Sequence, residues 1–259
     1  MADSAMMKPP TLSEAATMIG AIESLRTGCT TLVDDMALGA TIQRENIDAV
    51  LAAYEDAGAG GTAARRHRIE HAGNVLWTRE RAERFKALEI LPVPNIGFLY
   101  DYAEAWPTTF GPEAARRCLP MRTMLDQGFP VAGTSDTTGG SLPALDALAN
   151  IRRAVTRRTM SGQLVDPDEA IELQEAIGMY TRNSALIGRQ QDWAGSLEPG
   201  KVGDIVILSH DALSLEREEL AAVQVDCTIV DGQVAYARSG GPFAGLGRRS
   251  AAVPAGSGA

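Results

Sequence analysis

A chain of 259 residues with 45% hydrophobic content is long enough to bury a sizeable core, as one α/β barrel-sized domain or as a smaller α/β domain with an appendage. A formal net charge of −9, with no basic cluster beyond short runs such as Arg65-Arg66, excludes the concentrated positive field that nucleic acid or an anionic membrane surface requires. Small-molecule chemistry or protein association is left. Three cysteines, Cys29, Cys118 and Cys227, are odd in number and far apart, which fits neither a disulfide framework nor a clustered zinc site and suits a reducing cytoplasm. The opening "MADSAMMKPP" has the character of neither a signal peptide nor an anchor, and no apolar run reaches membrane-spanning length.

In chain order, residues 1–10 are expected to be disordered. Residues 11–27 read as a helix, capped at Thr11 or Ser13, with Met18, Ile19, Ile22 and Leu25 at helical spacing before Gly28 stops the run. Thr30–Val33 is a short buried strand leading into Asp34 and Asp35, and "NIDAVLAAYEDAG" is a second amphipathic helix. The pattern then repeats: strand "RHRIEHA", helix "TRERAERFKALE", strand "ILPVPNIGF", a proline-interrupted helix "GPEAARRCLPMRTMLDQG", and strand "FPVAGTSD". Two helical stretches follow, "LPALDALANIRRAVTRR" and "PDEAIELQEAIGMYTRNSALIG". Such alternation is the mark of parallel βαβ units. Beyond Gly195 the texture changes to short alternating runs with Pro-Gly and Asp-Gly turns, hence a small antiparallel β element over 195–238, followed by a disordered tail over 239–259.

The segment "RHRIEHAGN" holds two of the three histidines, His67 and His71. Read as a strand, His67, Ile69 and His71 share one face and Arg66, Arg68 and Glu70 the other, with His71 at the C-terminal edge where parallel α/β folds assemble active sites. A helix would place the histidines one turn apart, but it lacks the glutamate of the H-E-x-x-H pattern and meets Gly73 at once. "VAGTSDTTGG" delivers Asp136 to the same kind of edge. At roughly 31 residues per βα unit in an eight-unit barrel, the two edges lie about two units apart and can face one cavity.

These motifs together resemble the amidohydrolase superfamily of metal-dependent hydrolases, in particular the C-terminal half of members like amidohydrolase family 3. The likeness rests on the histidine of "RIEHA", the aspartate of "GTSD", the helix with "YTRNSA", and "GSLEPGKVGDIVIL" with "TIVDGQVAY", in family order. "GAIESLRTGCTTLVDDM" through "AYEDAG" resembles an earlier barrel segment of related members. The resemblance implies an α/β fold, a partial TIM-like (β/α) barrel over 11–194 with a partial β-sandwich over 195–238. It implies a hydrolase of non-peptide carbon-nitrogen bonds in small molecules that uses a divalent metal, zinc being the expected ion. His71 and Asp136 would be metal ligands, or His71 would hold the water on the metal, and Asp136 would be the catalytic proton carrier. Imidazole and carboxylate suit zinc, which acidifies bound water.

The family's His-x-His pair, its fourth-strand lysine or glutamate and its fifth-strand histidine have no counterpart here, the remaining histidine being His210 in the β element. Four units, about 125 residues, should separate the strand ending at Asp35 from that ending at His71, far more than the chain offers. Several barrel units are therefore missing from the pattern. An open half-barrel would be covered by a second copy or a complementing chain. The rival reading is a non-catalytic remnant or interaction subunit on the same scaffold, and a generic α/β binding domain is a third.

Other residues have simpler readings beside functional ones. His67 is structural; Asp34 and Asp35 are caps or extra carboxylate ligands. Ser135 lacks the second glycine of a nucleophile elbow, and "TTGG" lacks the lysine of a phosphate-binding loop. Cys118 is core packing, and Trp77, Trp106 and Trp193 pack in the core or line a pocket.

Overall fold

A computed structural model of the chain describes residues 26–27, 68–136 and 140–246. The predicted helices over 11–27 (except its last two residues) and 46–58, the strand at Thr30–Val33, and Cys29, Asp34, Asp35 and His67 lie outside the described residues.

The first described strand, β1 (Arg68–Glu70), runs parallel to β2 (Leu91–Val93), in the register Arg68 to Leu91, Ile69 to Pro92 and Glu70 to Val93. Between them in sequence lies α1 (Arg79–Ala87), so the three elements form a βαβ unit. The start of α1 is dictated locally: the Thr78 hydroxyl accepts from the Arg81 N–H, Glu80 sits in the first turn, and Arg84 and Lys86 sit in the last, all in the sense the helix dipole favours. Phe85 is the buried anchor of α1, packed with Trp77 and Phe129 at ring-centroid distances of 5.3 and 6.5 Å, while Trp77 and Phe129 meet edge-on at 5.5 Å. The indole N–H of Trp77 donates to the Gln127 side chain at 2.9 Å. Trp77 and Trp106 are thus core residues, whereas Trp193 is exposed.

Where the sequence pattern predicts a strand through residue 98, β2 ends at Val93 and α2 (Gly97–Tyr102) begins, followed by α3 (Trp106–Phe110). Pro92 and Pro94 flank the last strand residue and lack the N–H groups a longer ladder needs. The proline-interrupted helix divides as expected into α4 (Pro112–Ala115) and α5 (Met121–Asp126), with Leu119 at φ 50° and Pro120 between them. Cys118 is fully buried in this break, and burial pushes its thiol up to about 11.

α6 (Ala147–Thr156) is capped by the Asp146 carboxylate, which accepts from the Ala149 N–H at 2.8 Å. It ends at Arg157, a left-handed residue (φ 55°) whose buried guanidinium donates to the carbonyls of Leu119 (2.9 Å) and Val165 (3.1 Å). α7 (Leu173–Tyr180) opens with a Glu172/Glu175 capping box and breaks at Thr181 into α8 (Arg182–Ile187). The third β region is an antiparallel sheet of β3 (Ile205–Leu208), β4 (Val225–Val230) and β5 (Gln233–Ala237), in the order β3-β4-β5. Asp231 (φ 49°) and Gly232 (φ 73°) close the β4–β5 hairpin with both central residues left-handed, the geometry that matches strand twist. Residues 239–246 of the expected disordered tail are described and contain a 3₁₀ turn at Ala244–Leu246.

The architecture is α/β, with a short parallel sheet followed in sequence by an antiparallel one; among the described residues the parallel strands do not close a barrel. The predicted strand "FPVAGTSD" is extended without forming a ladder. One side of it faces β2, where the Thr134 hydroxyl donates to the Pro94 carbonyl at 3.3 Å. The other is held by the α7–α8 junction: the Gly133 N–H donates to the Met179 carbonyl (3.0 Å), and the Asn183 amide donates to the Val131 carbonyl (2.8 Å). Helix ends take donors and acceptors a neighbouring strand would have used, so the segment stays outside any ladder.

Gly133 is indispensable at this clamp. A Cβ there would stand 2.2 Å from the Tyr180 ring, which lies directly on the backbone. We expect Gly133→Ala to lower the unfolding free energy by about 1–3 kcal/mol through overpacking, read as a fall in thermal midpoint, with Tyr180→Ala in the same chain relieving part of the loss.

Candidate functional site

The site forms where three consecutive extended segments end. His71 is the first residue beyond β1, Asn95 lies two residues beyond β2, and Asp136 ends the third segment. The alternation that places His67, Ile69 and His71 on one face does not extend to His71, because its backbone leaves the strand at φ 64°. Its carbonyl accepts from the Asn74 N–H at 3.0 Å, closing a turn. Asp136 is also left-handed, at φ 51°, and its carbonyl accepts from the Gly140 N–H at 2.8 Å. His and Asp visit this region more readily than most side chains, and such strain collects at functional sites.

The predicted pair face each other. His71 Nε2 stands 3.5 Å from Asp136 Oδ2, with the side chains 18% and 12% exposed. Phe98, from α2, packs on the imidazole with ring centroids 5.8 Å apart. Among the described residues, clefts are lined by residues such as Lys86 and Phe129, or Gln191 and Glu198, and neither cleft is lined by His71 or Asp136.

Sequence pattern alone does not reveal the residues that hold the pair. Asn74 and Asn95 are 1% and 3% exposed and hydrogen-bonded to each other: Asn95 N–H donates to Asn74 Oδ1 at 2.6 Å, and Asn74 Nδ2 to Asn95 Oδ1 at 2.9 Å. Asn74 Nδ2 also lies 3.1 Å from His71 Nδ1, and Asn95 Nδ2 donates to the Thr134 hydroxyl at 2.7 Å. The available signal is positional, an asparagine just past each of two successive strand ends, but asparagine at a strand end ordinarily denotes a turn.

The other predicted residues fall elsewhere. Ser135 precedes Asp136, and the following Thr137–Gly139 lie outside the described residues. Beyond them, Asp101 in α2 accepts from the Ser141 N–H (2.8 Å) and hydroxyl (2.5 Å), fastening the chain to α2. His210 is exposed in the C-terminal β region, against the Ser209 hydroxyl at 2.8 Å, and does not join the site. Among the described residues no three His, Cys, Asp or Glu side chains cluster as a metal cage, and no helix is long and apolar enough to cross a membrane.

Comparison with known proteins gives the family. The chain is 33% identical over 195 residues to the N-substituted formamide deformylase of Arthrobacter pascens, covering 75% of this chain and 35% of that protein. It is 26% identical over 132 residues to the putative amidohydrolase YtcJ of Bacillus subtilis (strain 168), covering 50% of this chain and 24% of that one. The chain thus spans about a third or less of the length of these relatives. Among solved structures, an uncharacterized metal-dependent hydrolase from Pyrococcus horikoshii OT3 superposes with a TM-score of 0.56 at 23% identity, over 69% of this chain and 34% of that one, a likeness of fold. The amidohydrolase family model matches residues 37–236, a span that holds His71, Asp136, the "YTRNSA" junction and nearly all of the antiparallel sheet, and the chain belongs to the amidohydrolase family.

Proposed function

We propose that the chain is the part of a divalent-metal-dependent amidohydrolase that carries its proton-transfer edge, acting on a carbon-nitrogen bond of a small-molecule amide. The observation that carries this reading is the 3.5 Å approach of His71 Nε2 and Asp136 Oδ2 from the ends of separate extended segments. That distance exceeds a good hydrogen bond. It is close to the edge of a tetrahedron of nitrogen and oxygen ligands around zinc, roughly 3.4 Å for bonds near 2.0–2.2 Å. By distance, then, the pair fits two positions of a coordination sphere and not a complete one. The expected partial barrel and β-sandwich, completed by further chain, a second copy or a complementing chain, are part of the same proposal.

A divalent metal at this edge would polarise the scissile carbonyl and acidify the attacking water. The chain's own residues supply the rest. Asp136 would offer Oδ2 to the metal and accept a proton at its other carboxylate oxygen, Oδ1, which it can return to the departing nitrogen. His71 stands with it at the metal position. Phe98 packs on the imidazole and limits water on that side, and the Asp101–Ser141 bonds tie the chain at Ser141 to α2. The similarity to a formamide deformylase makes an N-substituted formamide the first substrate to try.

A second reading, a scaffold that retains the fold without the chemistry, is favoured by one observation: the described residues supply no third ligand beside the pair.

Three results are expected. Protein equilibrated with Zn²⁺ and desalted retains the ion, and Asp136→Asn, which suits the same left-handed backbone, weakens retention by more than about tenfold without lowering the thermal midpoint of the metal-free chain. Formate appears when the zinc-loaded chain is given an N-substituted formamide, and Asp136→Asn abolishes it. Light scattering on a sizing column gives a mass above that of one 27.4 kDa chain. A parent protein that retains no zinc and releases no formate supports the scaffold reading, and a cooperatively melting monomer argues against completion by a second copy.

A further inference from the structure

We infer that Asn74 is a positioning residue that keeps the His71 proton on Nε2, so that the ring offers an N–H rather than a lone pair on its Asp136 side. The inference rests on the reading that this pair is the reactive edge, and it concerns the metal-free chain, in which His71 can take the ligand position only after its proton moves to Nδ1.

The direction of each hydrogen bond follows from two backbone groups whose polarity is not in question. The first is the Asn95 N–H, which can only donate, and it reaches Asn74 Oδ1 at 2.6 Å. Asn74 is therefore oriented: its other terminal atom is the NH₂ group. Turning the amide over would set an NH₂ against a backbone N–H at that distance, donor against donor, in a site that is almost fully buried. The second anchor is the Pro94 carbonyl, which can only accept. The Thr134 hydroxyl donates to it, so that hydroxyl accepts from Asn95 Nδ2, which leaves Asn95 Oδ1 to accept from Asn74 Nδ2. Both anchors give the same orientation.

An amide NH₂ has two hydrogens. One Asn74 hydrogen goes to Asn95 Oδ1 at 2.9 Å, and the other points to His71 Nδ1 at 3.1 Å. Nδ1 must then be the acceptor of a neutral imidazole, and the ring proton must sit on Nε2, 3.5 Å from the Asp136 carboxylate. Electrostatics agrees, because an N–H facing a carboxylate is favourable where two lone pairs would repel. In the metal-free chain Nε2 is therefore a donor, and a cation can take Nε2 only once that proton has moved to Nδ1. On the Asp136 side, His71 is a donor suited to a carbonyl oxygen.

The test is a spectroscopic one on the full chain, free of metal. With ¹⁵N-labelled histidine there are three imidazoles to resolve, His67, His71 and His210, and His71→Gln identifies the one of interest. Long-range ¹H–¹⁵N correlations at about pH 8.5, above the ordinary histidine range, separate the two neutral tautomers. The parent His71 is expected wholly as the Nε2–H form. Asn74→Asp keeps the shape and still serves the Asn95 N–H, but presents an acceptor to Nδ1; it is expected to move the proton to Nδ1 and to tighten Zn²⁺ binding, measured with the ion alone, by roughly tenfold or more, as carboxylate–histidine pairing does for ligating histidines. Asn74→Ala removes the donor and is expected to leave a mixture of tautomers. A parent His71 that reads as Nδ1–H, or one that stays Nε2–H unchanged in both variants, overturns the inference. The tautomer is read without metal, so failure of the parent chain to bind zinc, which would count against the hydrolase reading, does not alter this result.

Discussion

The buried Asn74–Asn95 pair is the constraint on which the site depends. Each asparagine sits just beyond a strand end, where the backbone has left its ladder, and each brings amide groups that cost about 1–3 kcal/mol if left unpaired away from water. They satisfy each other, a backbone N–H, a threonine hydroxyl and an imidazole nitrogen. Because every bond in the set has one permitted direction, three segment ends are locked in register. The left-handed backbone at His71 and Asp136 is tolerable because the surroundings allow little else.

That lock needs the third segment in place, and helices rather than a strand put it there. Residues 131–134 are gripped by β2 on one side and by the α7–α8 junction on the other, through Met179 and Asn183. Tyr180 lies on Gly133, closer than any side chain at that position would allow. The "YTRNSA" stretch thus has a physical role. Its tyrosine and asparagine fix the segment that carries Thr134 and Asp136, while the break at Thr181 turns the chain so that both can reach it. Packing at a helix junction and hydrogen-bond direction at the site are two ends of the same mechanical link.

Much of the fold is legible in the sequence because its signals are local. The run "TRERAERFKALE" predicts α1, the proline at 120 predicts the break between α4 and α5, and Asp-Gly at 231–232 predicts the β4–β5 hairpin. The misreadings have local causes too. "ILPVPNIGF" looks like one apolar strand, yet the prolines end the ladder at Val93 and a helix starts at Gly97. "FPVAGTSD" has strand composition, but its hydrogen-bonding partners are helix ends, which no pattern within the segment discloses.

At the site, the sequence by itself placed His71 and Asp136 at the ends of two short strand-like segments, a reading from neighbours along the chain, and the family resemblance singled out the pair. The tertiary structure alone decided how close they come, that both stand on left-handed backbone, and which imidazole nitrogen holds the proton. Those depend on contacts between residues 21 and 39 positions apart, Asn74 with Asn95 and Asn95 with Thr134. Hydrogen-bond direction is set by what lies across the fold, and the identity of a residue specifies only what it is able to donate or accept.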